Sequence, residues 1–124
     1  MSIGNAEAIQ AWNTVLYDKF LRFRETLTTG FRVHGHAVLD RFPPRPGSRV
    51  LDVGCGFGDT TLDIAKRLGE AGEAIGVDAA SRFIEVARRE AAAAGVANVR
   101  FETADAETGD LHGPYDRCAT FAAR

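Results

Sequence analysis

One stretch constrains the fold more than any other, and it is residues 50–61, which read VLDVGCGFGDTT. Its start is apolar apart from Asp52, as expected of a buried strand, and three glycines follow at alternate positions. Residues 60–68 then show helical spacing. A strand, a glycine-rich turn and a helix in this order predict an α/β unit whose turn lets a ligand approach the backbone closely.

The same rhythm continues along the chain. Residues 73–77, which follow a glycine-containing turn, and residues 98–103 predict a second and a third strand, and residues 115–121 predict a weaker fourth. Between the second and third strands, Ser81 is a suitable N-cap for a helix that runs to about Ala94. Parallel strands need crossover helices, so the pattern predicts an α/β, doubly wound fold.

A different pattern precedes the proline-rich sequence PPRPG at residues 43–47, which cannot continue a helix. Residues 5–28 have apolar side chains every three or four positions, which predicts an amphipathic helix. A second, shorter helix is predicted over residues 31–41. We therefore divide the chain into an N-terminal helical part, residues 1–45, and an α/β part, residues 46–124.

Composition excludes several classes of function. With 45% hydrophobic and 26% charged residues the chain has the composition of a soluble globular protein, and its net charge of −2 gives no basic surface for nucleic acid or anionic membranes. No apolar run is long enough to span a bilayer. Two cysteines, Cys55 and Cys118, form no disulfide framework, which predicts a cytoplasmic protein.

The glycine spacing discriminates between two kinds of cofactor. Dinucleotide-binding turns have the pattern G-x-G-x-x-G, whereas this turn has G-x-G-x-G and places Asp59 at the third dinucleotide position, where a carboxylate would repel a pyrophosphate. Asp52, two residues before the first glycine, suits a ligand that bears an ammonium and a sulfonium group. Its alternative role is structural, as an acceptor for the amides of the turn, and the two roles are compatible.

Three segments resemble a known family. Residues 50–58 resemble motif I of class I S-adenosylmethionine-dependent methyltransferases, in particular enzymes similar to the ubiquinone/menaquinone type that act on small molecules. The sequence IGVD at residues 75–78 resembles the second motif, and FETADA at residues 101–106 resembles the third. Three motifs in order and at suitable spacing are more specific than one glycine-rich turn.

The resemblance implies S-adenosylmethionine as cofactor, bound at the carboxyl ends of strands one to three and covered by the N-terminal helices as a lid. It implies backbone contacts at the turn, acceptors for the ribose hydroxyls and adenine amino group, and small residues beside the adenine ring. Besides Asp52, the cofactor-binding residues that the resemblance implies are Gly54, Cys55 and Gly56 for the backbone contacts, Asp78 for the ribose hydroxyls and Asp105 for the adenine amino group. Ala79 and Ala106 would lie beside the adenine ring.

Several of these residues also have a structural interpretation. The alternative role of Asp78 is to cap the helix that follows it, and Asp105 lies in a sequence that is typical of an ordinary loop. Aromatic residues on the first helix (Trp12, Tyr17 and Phe20) either contact the ligand or form the packing face of the helix.

Metal and covalent chemistry receive no support from the sequence. His34 and His36 lack a carboxylate or cysteine partner at suitable spacing, so we predict no metal site. A nucleophilic role for Cys55 would need a nearby base that the sequence does not show. We assign no catalytic residue, because methyl transfer from a sulfonium is an in-line displacement in which alignment of the reactants supplies most of the acceleration.

The resemblance further implies a three-layer Rossmann-like fold, of which complete members have seven strands. The sequence ends just after the fourth, so we expect an incomplete S-adenosylmethionine-binding half-domain with a partial parallel sheet in the order 3-2-1-4. The fourth strand would then be an exposed edge, and exposed edges favour self-association.

The predicted function is methyl transfer to a small molecule, without nucleic-acid or membrane partners. The alternative is a truncated, non-catalytic fragment that binds S-adenosylmethionine or another protein. A third interpretation, a nucleotide-dependent oxidoreductase, is opposed by Asp52 and Asp59.

Overall fold

The computed structural model describes residues 3–24, 37, 39–105, 111 and 113–119. No helix in these ranges is long and apolar enough to cross a membrane. The helices are α1 (Ile3–Asn13), α2 (Val15–Arg22), α3 (Asp59–Leu68) and α4 (Ser81–Ala94), and the strands are β1 (Arg49–Val53), β2 (Glu73–Asp78), β3 (Val99–Thr103) and β4 (Arg117–Ala119).

The four strands form one parallel sheet in the order β3-β2-β1-β4. Leu51 of β1 lies opposite Ile75 of β2 on one side and Cys118 of β4 on the other. This confirms the predicted α/β class and the strand order. Because all strands are parallel, β1, β2 and β3 end at the same edge of the sheet, where the motifs meet.

β4 is the outer strand on its side of the sheet within the described residues, since β1 is its only strand neighbour there. It is shorter than predicted, and residues 120–121 of the predicted strand lie outside the described ranges. Self-association through this edge stays a prediction, which light scattering at concentrations well above micromolar would test.

The core lies on both faces of β1 and β2, as alternation along the strands requires. On one face, Val50 and Ala74 pack against Ile64 and Leu68 of α3. On the other face, the core cluster contains Leu51, Ile75 and Val77. All seven of these side chains are at most 3% exposed, which explains why both strands read as continuous apolar runs.

The ring of Phe101, on β3, packs directly against Gly58 and Gly76. A Cβ placed on Gly76 would lie 2.7 Å from this ring, and one placed on Gly58 would lie 2.5 Å from it. Both positions therefore need glycine for packing. The last glycine of the glycine-rich turn, Gly58, is therefore required for packing of the fold.

The N-terminal helix differs from its prediction. Residues 5–28 do not form one helix, because α1 ends at Asn13 and α2 begins at Val15. Between them Thr14 has φ −124° and ψ −96°, and its hydroxyl donates to the carbonyl of Gln10 at 2.8 Å, a contact that competes with helical bonding. Residues 25–28, and most of the predicted helix 31–41, lie outside the described ranges.

The start of α4 is also a correction. Ser81 is the first helical residue, Ala80 occupies the N-cap position, and neither side chain caps the helix. Instead, Oδ1 of Asn13, at the end of α1, accepts from the amide of Arg82 at 3.1 Å. The cap comes from a residue 69 positions earlier in the chain, which local sequence cannot indicate.

Candidate cofactor site

The glycine-rich turn is held against the end of β2. The carbonyl of Val77 accepts from the amide of Gly54 at 2.8 Å and from the amide of Cys55 at 3.1 Å. These two bonds fix the backbone where β1 leaves the sheet. They also occupy amides that a helix-start turn would otherwise offer to an anionic ligand.

Asp78, the last residue of β2, joins three segments. Its Oδ2 accepts from the amide of Gly56 at 3.0 Å, and its Oδ1 accepts from the amide of Ala80 at 2.9 Å. Its backbone carbonyl accepts from the amide of Ala104, just after β3, at 3.0 Å. Asp78 therefore has a structural role, but not the helix cap considered for it, because it binds the amide of the N-cap residue Ala80 and Asn13 caps α4. Because each carboxylate oxygen has a second lone pair, the half-buried group can still accept from ribose hydroxyls.

Within the glycine-rich turn, Gly54 and Gly56 face open space. Their φ angles are +70° and +58°, which side chains rarely adopt, and a Cβ on either would meet no atom within 4 Å. A ligand can therefore approach the backbone on this side of the turn, whereas Gly58 faces the ring of Phe101. The sequence alone did not indicate which glycines allow a ligand to approach and which one is required for packing.

Asp52 is more buried than a ligand-binding carboxylate is expected to be, at 1% exposure. Its Oδ2 accepts from the hydroxyl of Thr61 at 2.6 Å, and its Oδ1 has no hydrogen-bond partner among the described residues. Burial raises the pKa of Asp52 to about 7; the hydrogen bond from Thr61 lowers it and the charge of Asp78 adds to the increase. A helix hydroxyl, and not an amide of the turn, is its partner.

Sequence reasoning missed Thr61, although a signal was present. It is the third residue of α3, nine positions after Asp52, and its side chain is fully buried. A buried hydroxyl on the first turn of a helix needs an acceptor. Whether Asp52 also contacts a ligand stays a prediction.

Cys55 is buried at 6% exposure, and its sulfur lies 3.8 Å from the carbonyl oxygen of Gly56. Burial, with the charges of Asp52 and Asp78, raises the pKa of Cys55 well above its usual range. The thiol therefore stays protonated, which disfavours nucleophilic chemistry. Its backbone, within the turn, is the part that can serve a ligand.

The remaining predicted residues follow the ends of β2 and β3. Ala79 lies directly after Asp78 and is half-buried, and Asp105 lies directly after Ala104 and is also half-buried. The hydrogen bond between Ala104 and Asp78 brings these two strand ends together. Ala106 lies outside the described residues, as do His34 and His36.

The aromatic residues of the N-terminal helices pack against the turn itself. Tyr17 is buried, and its ring centroid lies 6.0 Å from that of Phe57 and 5.3 Å from that of Phe83. Phe20 lies 5.6 Å from Phe57, and Trp12 lies 5.9 Å from Phe83. This aromatic cluster supports the packing interpretation of the stripe. Phe57, between the second and third glycines, is the residue through which the helices reach the turn.

A cavity of about 520 Å³ lies at the opposite edge of the sheet and is not part of this site. It is lined by residues 43–48, which precede β1, and by Asp116 and Arg117, at the start of β4. The cofactor motifs meet at the carboxyl ends of the strands, whereas this cavity lies at the amino ends.

Comparison with known proteins agrees with this geometry. The family described as "Methyltransferase domain" matches residues 44–119. Aklanonic acid methyltransferase DauC of a Streptomyces species is 40% identical over 78 residues, which are 63% of this chain and 36% of that protein. The 23S rRNA (uracil(1939)-C(5))-methyltransferase RlmD of Alkalilimnicola ehrlichii is 45% identical over 68 residues, 55% of this chain and 15% of that protein.

A solved structure shows the same fold. Coclaurine N-methyltransferase, bound to N-methylheliamine and SAH, superposes with a TM-score of 0.65 and 26% identity, covering 73% of this chain and 26% of that one. This chain thus spans about a third or less of the length of these relatives. The family match covers more than half of the chain, including all of β1, α3, β2, α4 and β3. The chain belongs to the class I, S-adenosylmethionine-dependent methyltransferase family.

Proposed function

We propose that this chain binds S-adenosylmethionine at the carboxyl ends of β1, β2 and β3, and that it serves methyl transfer to a small molecule. One observation carries the proposal. The carboxylate of Asp78 is bound to Gly56, and the open side of the turn at Gly54 and Gly56 lies next to it. A ligand fits this site if it carries a diol that can donate to Asp78 and a narrow chain that can lie against the open side of the turn.

The charge of the site favours this cofactor over a dinucleotide. The amides of Gly54, Cys55 and Gly56 all donate to acceptors within the protein, so the turn does not present them to a pyrophosphate. Asp78 lies close enough to Asp52 for its charge to raise the pKa of Asp52, and a cationic ligand would relieve that repulsion. The oxidoreductase alternative requires a dinucleotide, whose pyrophosphate would find no free amides in the turn and would not relieve the repulsion between the carboxylates.

When bound, the cofactor supplies a methyl group already activated by the sulfonium. The residues of this chain would hold and align it, with Asp78 accepting from the ribose hydroxyls and the backbone at residues 54–56 lining the ribose and methionine portion. Asp105 would accept from the adenine amino group, with Ala79 and Ala106 beside the ring. Alignment is the contribution that an in-line displacement needs most.

A small-molecule acceptor is the more specific part of the proposal. The names of DauC and coclaurine N-methyltransferase refer to small molecules, whereas the name of RlmD refers to ribosomal RNA. The net charge of −2 favours the first kind of acceptor, because RNA binding relies on an excess of Lys and Arg. A cytoplasmic location also stays a prediction, from the cysteine count.

The alternative function is a non-catalytic fragment that binds the cofactor without placing an acceptor. Cofactor binding and methyl transfer to an acceptor therefore need separate tests. Methyl transfer by the purified 124-residue chain would eliminate this alternative. Cofactor binding without transfer to any acceptor tried would support it.

Calorimetric titration with S-adenosylhomocysteine tests the proposal. We expect the chain to bind and Asp78→Ala to lose at least tenfold in affinity, whereas Glu85→Gln, an exposed control on α4, binds like the original chain. A folded chain that does not bind contradicts the proposal. NADH that displaces S-adenosylhomocysteine would support the oxidoreductase alternative instead.

A further inference from the structure

Arg24, which lies just beyond α2, contacts three separate parts of the α/β unit. Its Nη1 and Nη2 donate to the two carboxylate oxygens of Glu90, on α4, at 2.6 Å and 2.5 Å. Nη2 also lies 3.5 Å from Oδ1 of Asp59, the first residue of α3. The guanidinium carbon lies 4.3 Å from the centre of the Phe57 ring.

These contacts are stronger than an ordinary surface ion pair. The side chain of Arg24 is 21% exposed, and those of Asp59 and Glu90 are 25% and 38% exposed. A forked pair with a carboxylate fixes the plane of the guanidinium, and the ring of Phe57 covers one face of it. The hydrogen bond with Glu90 raises the pKa of Arg24, whose guanidinium is in any case protonated at working pH.

Two of the three contacts lie within the glycine-rich turn or directly after it. Phe57 lies between Gly56 and Gly58, within the turn, and is 2% exposed. Asp59 begins the helix that follows the turn. Arg24 thus connects the N-terminal helices, through Phe57, to the turn that is open at Gly54 and Gly56.

We propose that Arg24 is a positioning residue for cofactor binding, which holds the glycine-rich turn in its ligand-binding conformation through Phe57 and Asp59 while Glu90 anchors it. The inference deepens the proposed function and depends on it for its effect on ligand affinity. Arg24 itself contacts neither the open side of the turn nor the carboxylate of Asp78 among the described contacts.

The competing explanation is that Arg24 only attaches the N-terminal helices to α4. Two measurements separate these explanations. Trp12 is the single tryptophan of the chain and lies in the aromatic cluster, so its fluorescence reports whether the helices are attached. The amide resonance of Gly56 in an NMR spectrum reports the conformation of the turn, and it needs no ligand.

The experiment compares four variants. We expect Arg24→Gln to weaken S-adenosylhomocysteine binding by about fivefold or more and to shift the Gly56 resonance. Arg24→Lys keeps the charge but cannot form the bidentate pair with Glu90, so it should retain only part of the affinity. Glu90→Gln weakens binding less, because the contacts with Asp59 and Phe57 are retained. Arg22→Gln, an exposed arginine on α2, is the matched control and changes neither readout.

The inference is overturned if Arg24→Gln shifts the Trp12 emission while the Gly56 resonance and the affinity stay unchanged. Should Arg24→Gln fail to fold, Glu90→Gln decides, since an unchanged Gly56 resonance and affinity in that variant overturn the inference as well. Failure of the original chain to bind S-adenosylhomocysteine contradicts the proposed function. The Gly56 resonance then still decides whether Arg24 positions the turn.

Discussion

The amide of Gly56 and the carboxylate of Asp78 are joined by a hydrogen bond of 3.0 Å across 22 residues of sequence. The carboxylate to which we assign the ribose therefore also shapes the turn that would line the rest of the cofactor. Removing Asp78 changes both features at once. A loss of affinity in Asp78→Ala shows that the site is used, and a second measurement is needed to show a direct contact.

An analogue of S-adenosylhomocysteine without the two ribose hydroxyls supplies that measurement. We expect the original chain to prefer the intact ligand by at least tenfold, because the analogue leaves the second lone pairs of the Asp78 oxygens without donors. In Asp78→Ala the preference should fall to about twofold. If both proteins prefer the ligand with ribose hydroxyls by the same factor, Asp78 acts only on the conformation of the turn.

Two glycine substitutions should separate fold from binding. Gly58→Ala combines φ +84° with a Cβ 2.5 Å from Phe101, so we expect a loss of about 2–4 kcal/mol in the free energy of unfolding. Gly54→Ala has φ +70° but no atom within 4 Å, so its strain should cost about 1 kcal/mol. Urea denaturation measures both values.

Gly54→Ala should nevertheless weaken S-adenosylhomocysteine binding strongly, because its methyl group would occupy the open side of the turn. Calorimetry at a temperature where the variant is folded measures this. Unchanged affinity would show that the ligand does not approach the turn from that side.

Asp52 should make the stability depend on pH. Its pKa is about 7 in the folded chain against 3.8 for an unperturbed group, so the native state holds a proton that the unfolded state releases between these values. Stability is therefore lost as the pH rises from about 4 through 7. Between pH 5.5 and 8 we expect a loss of about 2 kcal/mol relative to Asp52→Asn, whose side chain does not titrate.

Urea denaturation of both proteins at the two pH values is the measurement, with Asp18→Asn, on α2, as the control that should follow the original chain. Parallel pH dependence of the original chain and Asp52→Asn would contradict the prediction. The folded-state pKa of Asp52 would then lie near that of a free carboxyl.

Thr61→Val tests the partner of Asp52. Valine has nearly the same shape, but it leaves both carboxylate oxygens without a donor in the described surroundings. We expect a loss of about 1–3 kcal/mol in the free energy of unfolding at pH 8, because the buried ionised group loses its hydrogen bond. At pH 5.5, where the carboxyl is protonated, the loss should be smaller. Thr61→Ser keeps the hydroxyl and should restore most of the stability, and a serine variant as unstable as valine would point to packing instead.

Features encoded in adjacent residues could be predicted from the sequence. The turn at residues 54–58 and the place of Asp78 at the end of β2 follow from short motifs, the parallel sheet follows from the alternation of strands and helices, and the strand order follows from the family resemblance. The structure confirms the fold class and the order. It does not test the ligand contacts, which remain proposals.

Features that depend on distant residues could not be predicted. The ion pair of Arg24 with Glu90 joins residues 66 positions apart, and the cap that Asn13 gives to α4 joins residues 69 positions apart. Helical periodicity continued through Thr14, although the backbone does not. Local patterns report which face of a helix is apolar, but they do not report which distant polar group that helix meets.

The cap from Asn13 leads to the last prediction. Asn13→Ala removes the acceptor for the Arg82 amide but keeps the Asn13 carbonyl, to which the Arg82 side chain donates at 2.9 Å. We expect a loss of about 1 kcal/mol in the free energy of unfolding, as for other lost N-caps, with a shift in the fluorescence of the adjacent Trp12. Ser81→Ala is the matched control and should change stability by a few tenths of a kcal/mol, because its hydroxyl lies 3.5 Å from Asn13 and caps nothing. If Ser81→Ala instead cost as much as a cap and Asn13→Ala nothing, α4 would be capped by its own first residue, and the attachment of α1 to α4 would need another explanation.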